Sequence, residues 1–330
     1  MTPIALLNGP FYHHIDHLAP LSSLLNCPLL LDDKNCYSLT KKYYPNVNVQ
    51  LDPICLEEVS HNYNLLLLST KYASLDIDKI YKSLNKTHMR YCFCPHGLSD
   101  KGEINPLVDC YENQDIALLY GKKQETKLKN KKNSANTFYT IGNYRAYYYE
   151  THKQILDQHA DTEIFSTLPN QQTILYAPTW NDGESSVTFF SNYQSLIDQL
   201  PSSFNLVIKL HPLLEKHHPG QAWKALSQDL IKPNVRVLLD FPLIYPVLNK
   251  IDIYLGDYSS IGYDFLYFNR PMFFLGDNNS SLQTCGRKVS SLKEFFKYIQ
   301  DPQTSKQPIR KTTYNTSFAP YNHLKFNHRI

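Results

Sequence analysis

Short apolar runs alternate with longer segments of helical pattern along most of the chain. Runs of this length suit buried strands, and the segments between them can form helices that cross back over a sheet. The pattern therefore predicts an α/β fold with mainly parallel sheets. The predicted strands are residues 4–7, 28–31, 65–69, 89–93, 116–120 and 137–141 in the first half and residues 173–177, 206–210, 235–238, 251–255 and 271–274 in the second.

The chain has 330 residues, which is long enough for two hydrophobic cores of ordinary size. A helical stretch that ends in a polar segment near residue 172 marks the predicted domain boundary. We predict a Rossmann-like acceptor-side domain over residues 1–165, a Rossmann-like nucleotide-donor domain over residues 166–310, and a tail over residues 311–330 that could pack back on the first domain. Two such domains facing across a cleft would bind a ligand at the carboxyl ends of their strands.

The formal net charge of +3 is small for this length and gives no case for a dedicated nucleic-acid-binding protein. The one dense basic run, residues 122–132, lacks the interleaved aromatic residues that stack on bases. It favours a solvated loop, with a contact to an anionic membrane or a phosphate-rich polymer as the alternative.

The seven cysteines include no C-x-x-C pair, so they indicate reduced thiols and a reducing compartment. The N-terminus does not resemble a signal peptide, and no apolar run is long enough to span a bilayer. We therefore expect a cytoplasmic protein whose contact with a membrane, if it makes one, is peripheral.

Residues 253–265 read as a buried strand that ends at Gly256 and is followed by Asp257, Ser259, Ser260 and an amphipathic helix. The backbone N–H groups of such a junction, together with two hydroxyl groups, can bind a phosphate. The alternative is that Asp257 or Ser259 only caps the helix.

Other predicted strands also end in polar residues that could bind or react with a substrate. Lys209 and His211 end one strand, and Thr179 follows another. In the first half, His96 precedes a glycine, and Arg145 follows a strand and could engage a phosphate through two parallel hydrogen bonds. Each residue alone could be a surface, turn or capping residue. Their agreement with the serine pair favours phosphate binding.

Several short motifs occur in an order that resembles the CDP-glycerol glycerophosphotransferase family of teichoic-acid polymerases and primases. The resemblance covers residues 89–275. Its motifs are Ile-Leu-Tyr-Ala-Pro-Thr-Trp, Lys-Leu-His-Pro, Tyr-Pro-Val-Leu, Asp-Tyr-Ser-Ser-Ile-Gly-Tyr-Asp-Phe and Arg-Pro-Met-Phe-Phe, preceded by a Pro-His-Gly element and by the segment Gly-Asn-Tyr-Arg.

This resemblance implies a GT-B fold and transfer of a polyol phosphate from a CDP-alcohol, without a metal or cofactor, to a hydroxyl on a cell-surface glycan or lipid-linked precursor. It implies that His96 is the general base and that His211 acts on the donor pyrophosphate. The implied donor- and phosphate-binding residues are Thr179, Lys209, Asp257, Ser259, Ser260, Asp264 and Arg145.

The chain departs from that family's usual pattern at Pro95, Tyr144 and Asn181. Three alternatives therefore stay open: a GT-B glycosyltransferase that uses a nucleotide sugar, a nucleotide-sugar epimerase, and a noncatalytic nucleotide-binding protein. The sequence does not indicate an oligomeric state.

An acidic D-x-D pattern, Asp76-Ile77-Asp78, is the one candidate for a metal-binding carboxylate pair. A position at the N-terminus of a helix explains its charge better. The pairs His13-His14 and His217-His218 lie in polar segments and are interpreted as surface residues. The sequence therefore predicts no metal site.

Overall fold

The computed structural model describes residues 1–84, 86, 89–100, 111, 114–129, 135–179, 188–211, 213–214, 219–227, 232–276, 280–300 and 306–323. The chain divides into two compact units. The first comprises residues 1–151 and 316–330, and the second comprises residues 152–315. Each unit is built around one parallel β-sheet.

The first unit contains a seven-stranded sheet in the order β3-β2-β1-β4-β5-β6-β7, with parallel pairing throughout. Its strands are β1 Pro3–Leu7, β2 Leu29–Leu31, β3 Val49–Leu51, β4 Leu65–Leu68, β5 Arg90–Phe93, β6 Ile116–Leu119 and β7 Thr137–Thr140. Its helices are α1 Ile15–Leu25, α2 Lys34–Tyr43, α3 Leu56–Asn62, α4 Lys71–Ser83, α5 Lys122–Lys129 and α6 Tyr144–Thr151. The central strand β4 is four leucines, all fully buried, as expected for a parallel strand that is covered on both faces.

The second unit contains a six-stranded parallel sheet in the order β10-β9-β8-β11-β12-β13, the strand order of a Rossmann fold. Its strands are β8 Gln172–Ala177, β9 Phe204–Lys209, β10 Val235–Leu238, β11 Ile253–Gly256, β12 Met272–Leu275 and β13 Arg287–Val289. Its helices are α7 Lys153–Glu163, α8 Phe189–Asp198, α9 Gln221–Leu226, α10 Ile244–Asn249, α11 Ile261–Phe265, α12 Leu292–Tyr298 and α13 Gln307–Ser317. The predicted α/β class with parallel sheets is confirmed.

The units divide at 151/152 and 315/316, whereas the predicted boundaries were 165/166 and 310/311. Helix α7 falls in the second unit because its acidic side chains contact α10 and the residue after it. Asn249 donates to Asp157 at 3.2 Å, and Lys250 pairs with Asp161 at 2.7 Å.

The C-terminal segment that follows α13 packs against the first unit through backbone hydrogen bonds. Ala319 N donates to Tyr120 O, Asn143 N donates to Ala319 O, and Asn322 N donates to Ile141 O, all at 2.8–2.9 Å.

Within the described residues, no helix is both long and apolar enough to span a membrane.

Gly142 allows this segment to approach closely. Its φ is +77°, and a Cβ there would meet the carbonyl oxygens of Ala319 and Pro320.

We expect Gly142→Ala to lower the free energy of unfolding by about 2 to 4 kcal/mol, since the strain of an alanine in the left-handed region and the clash of its Cβ with these oxygens add together. Urea unfolding measures the loss, and proteolysis near the C-terminus reports release of the segment.

Gly220→Ala is the matched control, because Gly220 has a φ of +84° but nothing lies within 4 Å of an added Cβ. It should cost about 1 to 2 kcal/mol, from backbone strain alone. An equal cost for both variants would show that the close approach at Gly142 does not contribute.

Candidate functional site

The order of strands in the second sheet reverses between β8 and β11, the position where open α/β sheets bind ligands at the carboxyl ends of their strands. Ala177 at the end of β8 pairs with Gly256 at the end of β11. Thr179 and Asp257 therefore leave the sheet side by side.

Asp257 joins the segments that follow these two strands. Its carboxylate accepts hydrogen bonds from Thr179 N at 2.9 Å, from Thr188 N at 3.3 Å and from Thr188 Oγ1 at 3.0 Å. The side chain is buried, and burial raises its pKa to about 6, against the opposing effect of these hydrogen bonds. Asp257 thus organises the site and does not cap α11.

The predicted serine pair lies at the start of α11. Ser259 is buried and Ser260 is half-buried; Ser260 occupies the N-cap position, but its side chain makes no capping hydrogen bond. The helix is five residues long and continues as a 3-10 turn over Leu266–Phe268. Because so short a helix has a weak dipole, hydroxyl groups and local N–H groups must provide most of any phosphate binding here.

Gly256 and Gly262 are required by a tyrosine beneath this segment. A Cβ on Gly256 would overlap the ring of Tyr254, and a Cβ on Gly262 would lie 2.8 Å from Leu282. The absence of a side chain at these two glycines thus leaves room for the buried side chains of Tyr254 and Leu282.

The remaining predicted residues of the second unit have varied surroundings. Lys209 is the last residue of β9, and His211 follows it by two residues; because β9 pairs with β8, both residues lie at the same edge of the sheet as Thr179. His211 Nδ1 accepts from Leu213 N at 3.2 Å, which makes Nε2 the proton-bearing nitrogen of the neutral ring and a donor. Asp264 is buried and accepts from Tyr245 Oη at 3.1 Å.

In the first unit, the strand order reverses between β1 and β4, and histidines cluster at their carboxyl ends. His14 Nδ1 and Ser69 Oγ, which follow β1 and β4, lie 2.9 Å apart. The ring centroid of His14 lies 4.9 Å from that of His96 and 4.3 Å from that of His13. His17 lies 6.4 Å from His96 and shares a hydrogen bond with the hydroxyl of a tyrosine.

Burial keeps the imidazoles of His96 and His17 neutral. It lowers the pKa of His96 to about 4, and a hydrogen bond to the Ser69 backbone opposes the shift only in part. Burial, with the charge of Arg145 as a second cause, holds the pKa of His17 well below its usual range. His96 Nδ1 is buried and makes no hydrogen bond to any residue that the structure describes. At neutral pH the ring is therefore unprotonated, the form that a general base requires.

A cavity of about 60 Å³ opens beside His96. Pro95, Gly97 and Tyr111 line it together with the basic side chains Lys123 and Lys127 from α5. A hydroxylated group could reach the imidazole from this cavity, and the positive charge of Lys127 could attract a negative charge that the group carries.

Sequence reasoning missed the histidines that surround His96. His13 and His14 were predicted to be surface residues, but His14 is 5% exposed and faces Ser69. The prediction was wrong because these residues follow β1 at the switch point, where polar side chains turn inward. Gly9-Pro10 directly after the first predicted strand is the signal that could have indicated such a turn.

Arg145 lies in α6 and is buried against α1, where it pairs with Asp16. Its Nε donates to both the carboxylate and the carbonyl oxygen of Asp16 at 3.1 Å, and Tyr44 Oη donates to the same carboxylate at 2.7 Å. The prediction that Arg145 binds phosphate is therefore corrected: its guanidinium neutralises a buried carboxylate inside the first unit.

The charged segments also differ from expectation. Asp76 and Asp78 lie in the middle of α4, not at its N-terminus, and they pair with Lys79 and Lys82. Among the described side chains, no group of three or more His, Cys, Asp or Glu residues could hold a metal ion. His217, His218 and Asn181 lie outside the described residues.

The basic run predicted as a loop forms α5 over residues 122–129, while residues 130–132 are not described. Lys122 is exposed, whereas Lys123 pairs with Asp100 at 2.5 Å. Part of the positive charge of this run is therefore neutralised within the first unit.

We expect Asp257→Asn to change how stability depends on pH. The pKa of Asp257 rises from 3.8 to about 6 on folding, so the folded chain retains a proton that the unfolded chain releases between these pH values. Its contribution to stability is full below about pH 4 and lost above about pH 6, a change of roughly 3 kcal/mol. Urea unfolding between pH 4 and 7 should show this loss as a difference between the two proteins: relative to Asp257→Asn, the wild type should lose stability as the pH rises.

Asp198→Asn is the control, since Asp198 is exposed on α8. Its pH dependence should match that of the wild type. Equal slopes for the wild type and Asp257→Asn would contradict the raised pKa.

A sequence profile of the family CDP-Glycerol:Poly(glycerophosphate) glycerophosphotransferase matches residues 146–287. This match contains all the predicted donor-side residues of the second unit and stops short of His96. The teichoic acid glycerol-phosphate primase of Bacillus subtilis is 30% identical over 129 residues, which is 39% of this chain and 30% of that protein. The chain thus spans less than a third of the length of this curated relative.

Solved structures share the fold over nearly the whole chain. A variant of the wall teichoic acid polymerase TagF soaked with CDPG has a TM-score of 0.67 at 13% identity, covering 96% of this chain and 83% of that chain. The MnaA–UDP co-structure from S. aureus has a TM-score of 0.62 at 14% identity, covering 97% and 92%. The predicted GT-B-like fold class is confirmed, and residues 146–287, most of which lie in the second unit, resemble the CDP-glycerol glycerophosphotransferase family in sequence.

Proposed function

We propose that the chain transfers a glycerol-phosphate-type group from a CDP-alcohol to an acceptor hydroxyl on a cell-surface glycan or lipid-linked precursor, and releases CMP. The main observation behind this proposal is the buried carboxylate of Asp257. It holds the segments of Thr179 and Thr188 against the turn that carries Ser259 and Ser260, called the serine turn below. All of these residues lie in the range that the family profile matches. The matched family is named for CDP-glycerol and poly(glycerophosphate), and a similar polymerase structure was soaked with CDPG, which supports the same donor class.

In the proposed reaction, the acceptor oxygen attacks the phosphorus that carries the alcohol. A new P–O bond forms, the bond between the two phosphates breaks, and CMP leaves with that electron pair. His96 takes the proton of the acceptor hydroxyl. Its imidazole is neutral and therefore competent as a base, and an approaching phosphate anion would raise its pKa toward neutrality.

The donor-side residues would stabilise the charge that develops on the pyrophosphate. The hydroxyls of Ser259 and Ser260 and the Nε2–H of His211 can donate to phosphate oxygens, and Lys209 at the same edge adds positive charge. Asp257 acts as a positioning residue through Thr179. Asp264, held by Tyr245, would support the nucleotide side. The mechanism assigns charge stabilisation to these protein donors and uses no metal.

We also propose that the reaction takes place in the cytoplasm, at the inner face of the cell membrane. A lipid-linked acceptor would be presented there, and the lysines of residues 122–132, with Lys122 exposed at the start of α5, could contact anionic lipid.

The proposed function is tested by identifying which nucleotide-activated donor the protein binds. Calorimetry with CDP-glycerol, CDP-ribitol, CMP-sugars and UDP-sugars should show binding of a CDP-alcohol, followed by CMP release with acceptor. Tight binding of a UDP-sugar alone would favour an epimerase or glycosyltransferase, consistent with the structural similarity to MnaA. Donor binding without turnover under any condition would favour a noncatalytic nucleotide-binding protein.

Removing the hydroxyl groups of the serine turn should cause a large loss of affinity for the donor. Ser259→Ala with Ser260→Ala should weaken binding of CDP-glycerol by about 2 to 4 kcal/mol, because two hydrogen bonds to charged oxygens are lost. Ser202→Ala with Ser203→Ala is the matched control, since this serine pair is exposed in a turn before β9. Unchanged affinity in the first variant would remove the serines from the phosphate site.

His96→Ala should lower CMP release about 10²- to 10⁴-fold, the usual contribution of a general base, while donor affinity stays within about twofold. His61→Ala is the control, since His61 is exposed on α3 of the same unit. Turnover that survives in His96→Ala would exclude His96 as the base.

A further inference from the structure

A cavity of about 760 Å³ lies in the second unit, at the amino ends of β12 and β13. Met272 begins β12 and Arg287 begins β13, and both residues line the cavity. Because the strands are parallel, this edge of the sheet is opposite the edge that carries Asp257 and the serine turn. The cavity is therefore separate from the proposed donor site.

The cavity is lined by positive charge. Arg287, Lys288, Lys306 and Arg310 line it, and no carboxylate does so among the lining residues that the structure describes. Ser280 also lines the cavity; its hydroxyl accepts from Gln283 N at 3.2 Å, which leaves the hydroxyl hydrogen to be donated to a ligand. Such a lining attracts an anion.

Arg310 is almost fully buried, and its hydrogen-bond partners among the described residues are neutral. Its guanidinium donates to Asn269 Oδ1 at 3.1 Å, to Cys285 O at 3.3 Å and to Asn269 O at 3.4 Å. Arg145 in the first unit, by contrast, has a carboxylate partner. A buried cation that has only carbonyl partners is stabilised by an anion close by.

The first turn of α13 also faces the cavity. Ile309 and Arg310 both line it, and the helix is 11 residues long. The N–H groups of a first turn and the positive end of the helix dipole favour a bound anion. The helix end and the side chains thus contribute charge of the same sign.

Gln283 gives an independent indication of a ligand. It lines the cavity and is 1% exposed, yet neither its amide nitrogen nor its amide oxygen makes a hydrogen bond to a residue in the described part of the chain. Buried amides are normally paired, because an unpaired one loses its hydrogen bonds to water. A phosphate oxygen could accept from the nitrogen, and a hydroxyl group could donate to the oxygen.

We infer that this cavity binds a phosphate ester that carries a free hydroxyl group, either as a small metabolite or as a lipid headgroup. The phosphate would contact Lys288, Lys306, Arg310 and the first turn of α13, and the hydroxyl would pair with Gln283. The inference goes beyond the proposed transfer reaction and does not depend on which donor the enzyme uses.

Calorimetry with glycerol 3-phosphate tests the inference, and inorganic phosphate serves as the comparison probe. The Ser259→Ala/Ser260→Ala background removes phosphate binding at the proposed donor site, so the two sites are distinguished. In this background we expect Lys288→Gln with Lys306→Gln to raise the Kd at least tenfold. Lys224→Gln with Lys293→Gln, two exposed lysines of the same unit that do not line the cavity, should change the Kd less than twofold.

Sedimentation with vesicles distinguishes the two sources of the ester. Binding to phosphatidylglycerol vesicles, but not to phosphatidylcholine vesicles or glycerol 3-phosphate, assigns the cavity to a headgroup. Binding of glycerol 3-phosphate in solution assigns it to a small ester. In either case the Lys288→Gln/Lys306→Gln variant must lose the binding. Absence of binding to both probes, or equal affinity in this variant and its control, overturns the inference.

Gln283→Leu separates ligand binding from a structural role. Because leucine removes an unpaired buried amide, the variant should melt at the same or a higher temperature than the wild type. It should also bind glycerol 3-phosphate at least fivefold more weakly, and should lose less affinity for inorganic phosphate, which cannot place an alkyl hydroxyl at residue 283. A lower melting temperature with unchanged affinity would show that Gln283 is structural.

Discussion

A buried carboxylate fixes the geometry of the switch point in the second unit. Asp257 receives hydrogen bonds from Thr179 and Thr188, and burial raises its pKa, so losing either partner would leave one oxygen of a buried acid with fewer hydrogen bonds. The segments after β8 and β11 are therefore held together, and Ser259 and Ser260 are presented directly after the carboxylate. Donor binding in the proposed function depends on this contact, although Asp257 itself need not touch the phosphate.

The switch point of the first unit, between β1 and β4, has a different set of side chains from that of the second unit. It gathers imidazoles whose pKa values are lowered by burial, so His96 and His17 stay uncharged. The buried charge of Arg145 is neutralised by Asp16 beside them. Neutral rings suit proton removal from a hydroxyl, whereas the donors of the second unit suit a charged pyrophosphate. The two units share a strand arrangement but offer complementary chemistry.

Apolar runs predicted the sheets well, because parallel strands buried on both faces are continuous in sequence, as Leu65–Leu68 shows. The missed strands Val49–Leu51 and Arg287–Val289 are three-residue edge strands that contain polar residues, and only their neighbours define them. Local motifs also predicted that Asp257 and the two serines directly follow a buried strand, and these residues do follow β11. They could not reveal that Arg145 pairs with a residue 129 positions earlier, since that contact depends on helix packing.

The most direct measurement of the central claim is a crystal structure of the chain with bound CDP-glycerol. The account predicts the pyrophosphate within hydrogen-bond distance of the Ser259 and Ser260 hydroxyls and of His211 Nε2, with the Asp257–Thr179 contact intact. A nucleotide bound elsewhere in the second unit, or a pyrophosphate that contacts neither serine, would contradict it.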